Sequence, residues 1–232
     1  MNPVPSHAPR TRLTVPGILM AVLLVIPSLL RGEENAMQRG SVAFRNGDYD
    51  LAIASFTEAL KLNPKDAAAC NMRAVAHAKK GEFDPAIADY TEALRIDPKL
   101  VTAWFMRGKA RQEKGDHDLA LADFNEAVRL DPKNMAACNR LAWFLATCPK
   151  PALRDGRRAV DFARKACEIS DWKAAIALDT LAAACAEAGD FPQAVEWEAK
   201  YLKTALCPER SAEDATARLA LYKARKPYHA EK

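Results

Sequence analysis

Three stretches of the chain repeat one pattern of apolar positions. In each stretch, alanine, an aromatic residue and alanine follow one another at intervals of four and three residues, and a proline comes five residues later. The three sets are Ala52, Phe56 and Ala59; Ala86, Tyr90 and Ala93; and Ala120, Phe124 and Ala127. Such intervals place side chains on one face of a helix, and proline ends a helix. The prolines recur every 34 residues, as do the glycines before each stretch, so the pattern indicates a stack of repeated helical units.

These offsets resemble the tetratricopeptide repeat (TPR), in which 34 residues form two antiparallel helices. Numbered from Glu33, Ala67 and Val101, position 8 is small throughout, where the family's two helices nearly touch. Position 8 is Gly40, Ala74 and Gly108, and Trp104 stands at the family's preferred tryptophan position. The resemblance implies an all-α fold, a TPR solenoid in which antiparallel helix pairs form a right-handed superhelix.

The second half of the chain departs from the regular repeat. Ala159 and Ala166 keep the spacing of the two repeat alanines but begin late, which implies an insertion of five residues between the helices of the fourth repeat. The strings around Leu141 and Leu181 resemble a variant terminal pair common in exported bacterial TPR proteins. The predicted segments are a leader at 1–32, repeats at 33–66, 67–100, 101–134, 135–173 (irregular) and 175–208 (degenerate), and a capping helix at 210–225.

The capping helix is predicted from an amphipathic stretch near the C-terminus. Ser211 is expected to be its N-cap, because acids follow in the first turn. Tyr222 is expected to cover the fifth repeat, with Arg218 facing water. Residues 226–232 are expected to be a frayed tail.

The N-terminus indicates export. Arg10 and Arg12 precede an uncharged run of 18 residues, Leu13 to Leu30, whose uninterrupted apolar centre has the length of a signal-peptide core. Two outcomes are open: cleavage after Gly32 or Ala36, or retention of the segment as an N-terminal membrane anchor. In either case we expect the rest of the chain to lie outside the bacterial cytoplasm, in the periplasm.

Composition and motifs argue against several classes of function. The net charge is +4, and residues 1–32 contribute three arginines and no acid. The remainder therefore lacks the excess of positive charge that is typical of nucleic-acid-binding proteins. The four histidines have no zinc-type spacing, and neither a Cys-x-x-Cys pair nor a glycine-rich phosphate loop occurs. We therefore expect no metal site, no cofactor and no catalytic residue, and a protein that is not an enzyme.

Six cysteines leave two questions open. Their helix positions predict buried, unreactive thiols, although a thiol-dependent enzyme is an alternative that would need a reactive cysteine. Export would permit disulfides. The best candidate pair is Cys138 with Cys167, because the two positions lie at the same end of an antiparallel helix pair.

The resemblance places a partner-binding groove on the concave face, which the first helix of each repeat lines. The predicted groove residues are Met37, Ser41, Asn71, Phe105, Lys109, Asn139 and Trp143. An alternative is that tight curvature or the N-terminal segment covers them. The lysines and asparagines with which some family members clamp acidic chaperone tails are absent from the matching positions.

Together these features predict a non-enzymatic scaffold that binds a partner protein or peptide on its concave face. The alternative is a structural subunit of the cell envelope that assembles with copies of itself.

Overall fold

The computed structural model describes residues 32–204 and 209–230, which divide into two compact units at residues 65 and 66. Apart from Gly32, the predicted leader lies outside the described residues. Within the described part, no helix combines the length and the apolar character that a membrane span requires.

The described residues form α-helices joined by short turns, with one 3₁₀ turn and no strand. The helices are α1 (32–45), α2 (Tyr49–Leu62), α3 (Ala67–Lys79), α4 (Phe83–Ile96), α5 (Val101–Glu113), α6 (His117–Leu130), α7 (Met135–Thr147), α8 (Gly156–Ile169), α9 (Ala175–Glu187), α10 (Phe191–Leu202) and α11 (Glu209–Lys223). The 3₁₀ turn is Pro151–Leu153, between α7 and α8. The predicted all-α class is confirmed.

The first unit is the helix pair α1 and α2. Phe56 is fully buried against Gly40, where an added Cβ would lie 2.6 Å from the phenyl ring. Asn63 Nδ2 also donates a hydrogen bond of 3.0 Å to Glu33 Oε1. A residue without a side chain at position 8 therefore lets the helices approach, as the sequence predicted.

In the second unit, each helix from α3 to α11 packs against the next one in the chain, and α7 also packs against α9. Gly108 repeats the role of Gly40, because a Cβ there would lie 2.7 Å from Phe124. Tyr90 and Phe124 are each only 1% exposed, so the repeat aromatic is buried in the second unit as well. Trp104 is half-buried instead, and its indole N–H donates to the carbonyl of Pro98 at 2.9 Å.

The connection between α7 and α8 differs from the other turns inside helix pairs. Three residues separate α5 from α6, and the turn is closed by Gly115 at φ +84°. Eight residues, including the 3₁₀ turn, separate α7 from α8. Asp155 then caps α8 by accepting a hydrogen bond of 3.1 Å from the Arg158 backbone N–H.

Three expectations about the C-terminal part were wrong. Helix α11 begins at Glu209, so Ser211 lies within the helix and is not its N-cap. Arg218 is only 8% exposed, because its guanidinium pairs with the buried carboxylate of Glu198 and the partly buried one of Asp179. Residues 226–230 are not frayed, since the Ala230 backbone N–H donates a hydrogen bond of 2.8 Å to the Thr147 carbonyl.

Candidate functional site

A cavity of about 470 Å³ opens in the second unit, lined by residues of α5, α7 and α9, the first helices of three successive pairs. We call it the α7 cavity. Its apolar lining includes Phe105, Met135, Trp143 and Ile176. Ile176 is 59% exposed, although leaving a large aliphatic side chain in water is unfavourable. The volume lies within the range of about 300 to 1,000 Å³ that is usual for ligand sites.

Two buried polar side chains line the cavity without a hydrogen-bond partner among the described residues. Asn139 is 8% exposed and Thr180 only 1%, yet neither Asn139 Oδ1 nor Thr180 Oγ1 is satisfied. Leaving such a group unsatisfied costs about 1 to 3 kcal/mol. Both atoms are enclosed by neighbouring side chains, so a molecule in the cavity would pair with them only after the Asn139 and Thr180 side chains rotate toward it.

The cavity also has two cationic residues, Lys109 and Arg140, that form no ion pair among the described residues. Lys109 Nζ lies 5.9 Å from the centroid of the Phe105 ring, and the Arg140 guanidinium lies 5.9 Å from that of Phe124. Burial lowers the pKa of both groups, and the charge of Arg140 lowers the pKa of Lys109 further. Arg140 Nε is buried and has no hydrogen-bond partner in the described part of the chain. The α7 cavity is therefore electropositive.

Trp143 forms part of the cavity wall and also contacts the C-terminal tail. The residue is half-buried, and its ring centroid lies 6.1 Å from that of Tyr228. The Arg218 guanidinium lies 5.7 Å from the Trp143 ring. His229 Nε2 holds the tail in place at 2.8 Å from Glu187 Oε2. Because Trp143 contributes to packing, its replacement would not separate a loss of binding from a loss of stability.

Behind the cavity, Arg218 joins two acids into a buried cluster. Its Nη2 lies 2.6 Å from Asp179 Oδ1, and its Nε lies 3.1 Å from Glu198 Oε1. Glu198 is fully buried, and this burial, together with the charge of Asp179, raises its pKa to about 8. Burial also raises the pKa of Asp179. Because Asp179 is already paired with Arg218, it does not neutralise Lys109 and Arg140.

The predicted groove residues fall into three places. Phe105, Lys109, Asn139 and Trp143 lie together around the α7 cavity. Asn71 lies on α3 and is not among the residues that line the cavity.

Met37 and Ser41 lie one turn apart on α1, in the first unit, where the Ser41 hydroxyl donates to the Met37 carbonyl at 2.9 Å. Arg140, Ile176, Asp179 and Thr180 also line the cavity but were not predicted. Numbered from residue 175, the fifth repeat has Asp179 at the same position as Phe105 and Asn139, and Ile176 three residues before it, so the repeat numbering could have found both.

The five described cysteines are buried free thiols. Burial raises the pKa of each of them, to about 11 for Cys167 and Cys185, which is the opposite of what a thiolate nucleophile needs. The pairing of Cys138 with Cys167 does not occur in this structure, since Cys138 Sγ instead donates to the Pro132 carbonyl at 3.7 Å.

Two models described as tetratricopeptide repeat match the chain, one over residues 37–100 and the other over residues 101–134. No curated protein sequence is significantly similar to the chain.

Solved structures with a similar fold come from several bacteria. A tetratricopeptide repeat protein of Parabacteroides merdae is 18% identical with a TM-score of 0.70, covering 84% of this chain and 75% of that chain. The MamA protein of Desulfovibrio magneticus, from residue 41 to its end, is 16% identical with a TM-score of 0.65, covering 74% and 94%. A TPR protein of Thermus thermophilus is 22% identical with a TM-score of 0.56, covering 83% and 99%. At these identities the similarity shows the fold alone.

Proposed function

The chain belongs to the tetratricopeptide repeat family, and from this premise we propose that it is a non-enzymatic scaffold that binds a segment of a partner protein in the α7 cavity. Proteins of this family are generally interaction scaffolds, and repeat solenoids use extended concave surfaces for binding. Membership of the family does not specify which face of this chain binds or which partner it binds.

One observation carries the proposal: the α7 cavity joins exposed apolar surface to buried polar groups that have no partner among the described residues. Ile176 offers an apolar contact, and the enclosed Asn139 Oδ1 and Thr180 Oγ1 would gain hydrogen bonds once their side chains rotate toward a bound molecule. A peptide meets both demands, because it carries apolar side chains and backbone N–H and C=O groups.

Site-specific photocrosslinking tests the location of binding. We expect benzoylphenylalanine at position 176 to crosslink a partner protein in the native cells. The matched control is position 119, because Leu119 is also exposed, at 51% against 59% for Ile176, but does not line the cavity. Crosslinking of the same partner from position 119 alone would contradict the proposal. Crosslinking from position 176 to a second copy of this chain would support the self-assembly alternative.

We also propose that the chain is exported, either soluble after cleavage of the leader or anchored by it. The basis is the sequence of residues 1–32, with its arginines ahead of an uncharged apolar run. A reporter that is active only in an oxidising compartment, fused after Lys232, is expected to be active. The variant Leu24→Arg, which interrupts the apolar run, is expected to abolish that activity. Equal activity of both fusions, or activity of neither, would contradict export.

A further inference from the structure

We propose that the segment bound in the α7 cavity is acidic, with side-chain carboxylates of Asp or Glu beside one large apolar side chain. This inference rests on the proposed function and specifies the chemistry of the partner.

Two cations of the α7 cavity lack a counter-charge in the described part of the chain. Lys109 and Arg140 both line the cavity, and neither has a carboxylate within ion-pair distance among the described residues. Glu113 acts electrostatically on both cations but forms an ion pair with neither. Partly buried cations without a counter-ion are unfavourable, so a carboxylate supplied by a partner would relieve an existing electrostatic cost.

These cations belong to a series that crosses several helices. Lys79 on α3 lies near enough to affect Lys109 on α5, which in turn is affected by Arg140 on α7. The three cations therefore lie on three successive first helices of the second unit, Lys109 and Arg140 in the lining of the cavity and Lys79 outside it. A single carboxylate at a chain end could pair with only part of this row. Several acidic side chains along an internal segment would match it, and so we assign the charge to side chains.

The other side of the cavity is mainly apolar, and the one charged residue that the described chain places there, Asp179, is paired. Ile176 and Trp143 line it, together with Thr180. The nearby Asp179 is already paired with Arg218 at 2.6 Å, so no free charge is presented there. An apolar side chain next to the acidic residues would contact Ile176, and its backbone N–H would donate to Asn139 Oδ1 once the Asn139 side chain rotates toward the cavity.

Selection of peptides tests this chemistry directly. A random library of short displayed peptides is selected on the immobilised full-length chain. The recovered peptides are synthesised, and their dissociation constants are measured by fluorescence anisotropy for the parent and four variants. The variants are Arg140→Gln, Lys109→Gln, Ile176→Asn and, as the matched control, Lys133→Gln, which removes an exposed charge away from the cavity.

The recovered peptides are expected to share Asp or Glu beside a large apolar residue. Arg140→Gln is expected to weaken the binding of these peptides about tenfold or more, because hydrogen bonds to charged groups are worth about 1.5 to 3 kcal/mol. Lys133→Gln is expected to change the affinity less than about twofold, and added salt is expected to weaken binding to the parent more than to Arg140→Gln. Amidation of the peptide C-terminus is expected to have no effect.

Failure of the acidic assignment and failure of the proposed function give different results. Neutral or basic peptides that lose affinity with Ile176→Asn but not with Arg140→Gln would overturn the acidic assignment and leave the proposed function in place. A large loss of affinity on amidation of the peptide C-terminus would show that the terminal carboxylate is bound, and would overturn the assignment of the negative charge to side chains. Recovery of no peptide, or of peptides that Ile176→Asn binds as well as the parent does, would count against the cavity itself and therefore against both proposals.

Discussion

Replacing Gly156 with alanine is expected to lower the free energy of unfolding by about 3 kcal/mol or more. An added Cβ would lie 2.5 Å from the Ala188 backbone nitrogen and 2.6 Å from the Glu187 carbonyl carbon. Both atoms belong to the backbone at the end of α9, which cannot rotate away as a flexible side chain could. The start of α8 must therefore move, or α8 and α9 must separate.

The sign of this effect distinguishes close packing from helix propensity. Without the close contact, alanine at the first position of a helix would stabilise the fold by about 0.4 to 1 kcal/mol, since it restricts the unfolded chain. The matched control is Arg157→Ala, which truncates an exposed neighbour and is expected to change stability by less than about 0.5 kcal/mol. Urea unfolding followed by circular dichroism measures both, and a neutral or stabilised Gly156→Ala would contradict the packing of α8 on α9.

Raising the pH from about 5.5 to 8.5 is expected to lower the free energy of unfolding on the order of 3 kcal/mol through Glu198. Burial and the charge of Asp179 raise the pKa of Glu198 to about 8, so the folded chain keeps a proton there that the unfolded chain has lost. Stability therefore falls as the pH rises toward the folded-state pKa. The raised pKa of Asp179 adds an effect of the same sign.

The variant Glu198→Gln isolates this effect, because glutamine has the shape of the protonated acid and its carbonyl oxygen can still accept from Arg218 Nε. We expect the variant to match the parent near pH 5.5 and to be more stable near pH 8.5. Glu196→Gln, an exposed neighbour on α10, is expected to keep the parent's pH dependence. The free energy of unfolding is measured by urea unfolding at several pH values between about 5.5 and 8.5. If it changes with pH equally in the parent and in Glu198→Gln, the buried cluster is refuted.

The regular repeats were predictable because their packing depends on local spacing. The offsets of Gly108 and Phe124 recur at fixed intervals, and the structure places them in contact. Gly156 was not recognised as a packing residue, because its near neighbours on α9 lie more than 30 residues away along the chain. The Arg218 cluster was missed for the same reason, as Asp179 and Glu198 precede Arg218 by 39 and 20 residues.

The candidate site was predictable in part. Family positions placed Phe105, Lys109, Asn139 and Trp143 on first helices, and the structure brings them around one cavity. The sequence placed Trp143 in the predicted groove, but its contact with Tyr228 depends on the path of the C-terminal tail. The lack of an ion-pair partner for Arg140 among the described residues is likewise a three-dimensional property, which a pattern of residue types does not encode.

The most direct test of the central claim is the dissociation constant of the crosslinked partner for the parent, Ile176→Asn and Leu119→Asn. Both substitutions change an exposed aliphatic residue, so neither is expected to alter stability by more than about 0.5 kcal/mol. Burial of a large aliphatic side chain is worth about 1.5 to 3 kcal/mol, so Ile176→Asn should weaken binding about tenfold or more, while Leu119→Asn leaves it unchanged. Equal dissociation constants for the parent and Ile176→Asn would contradict binding in the α7 cavity.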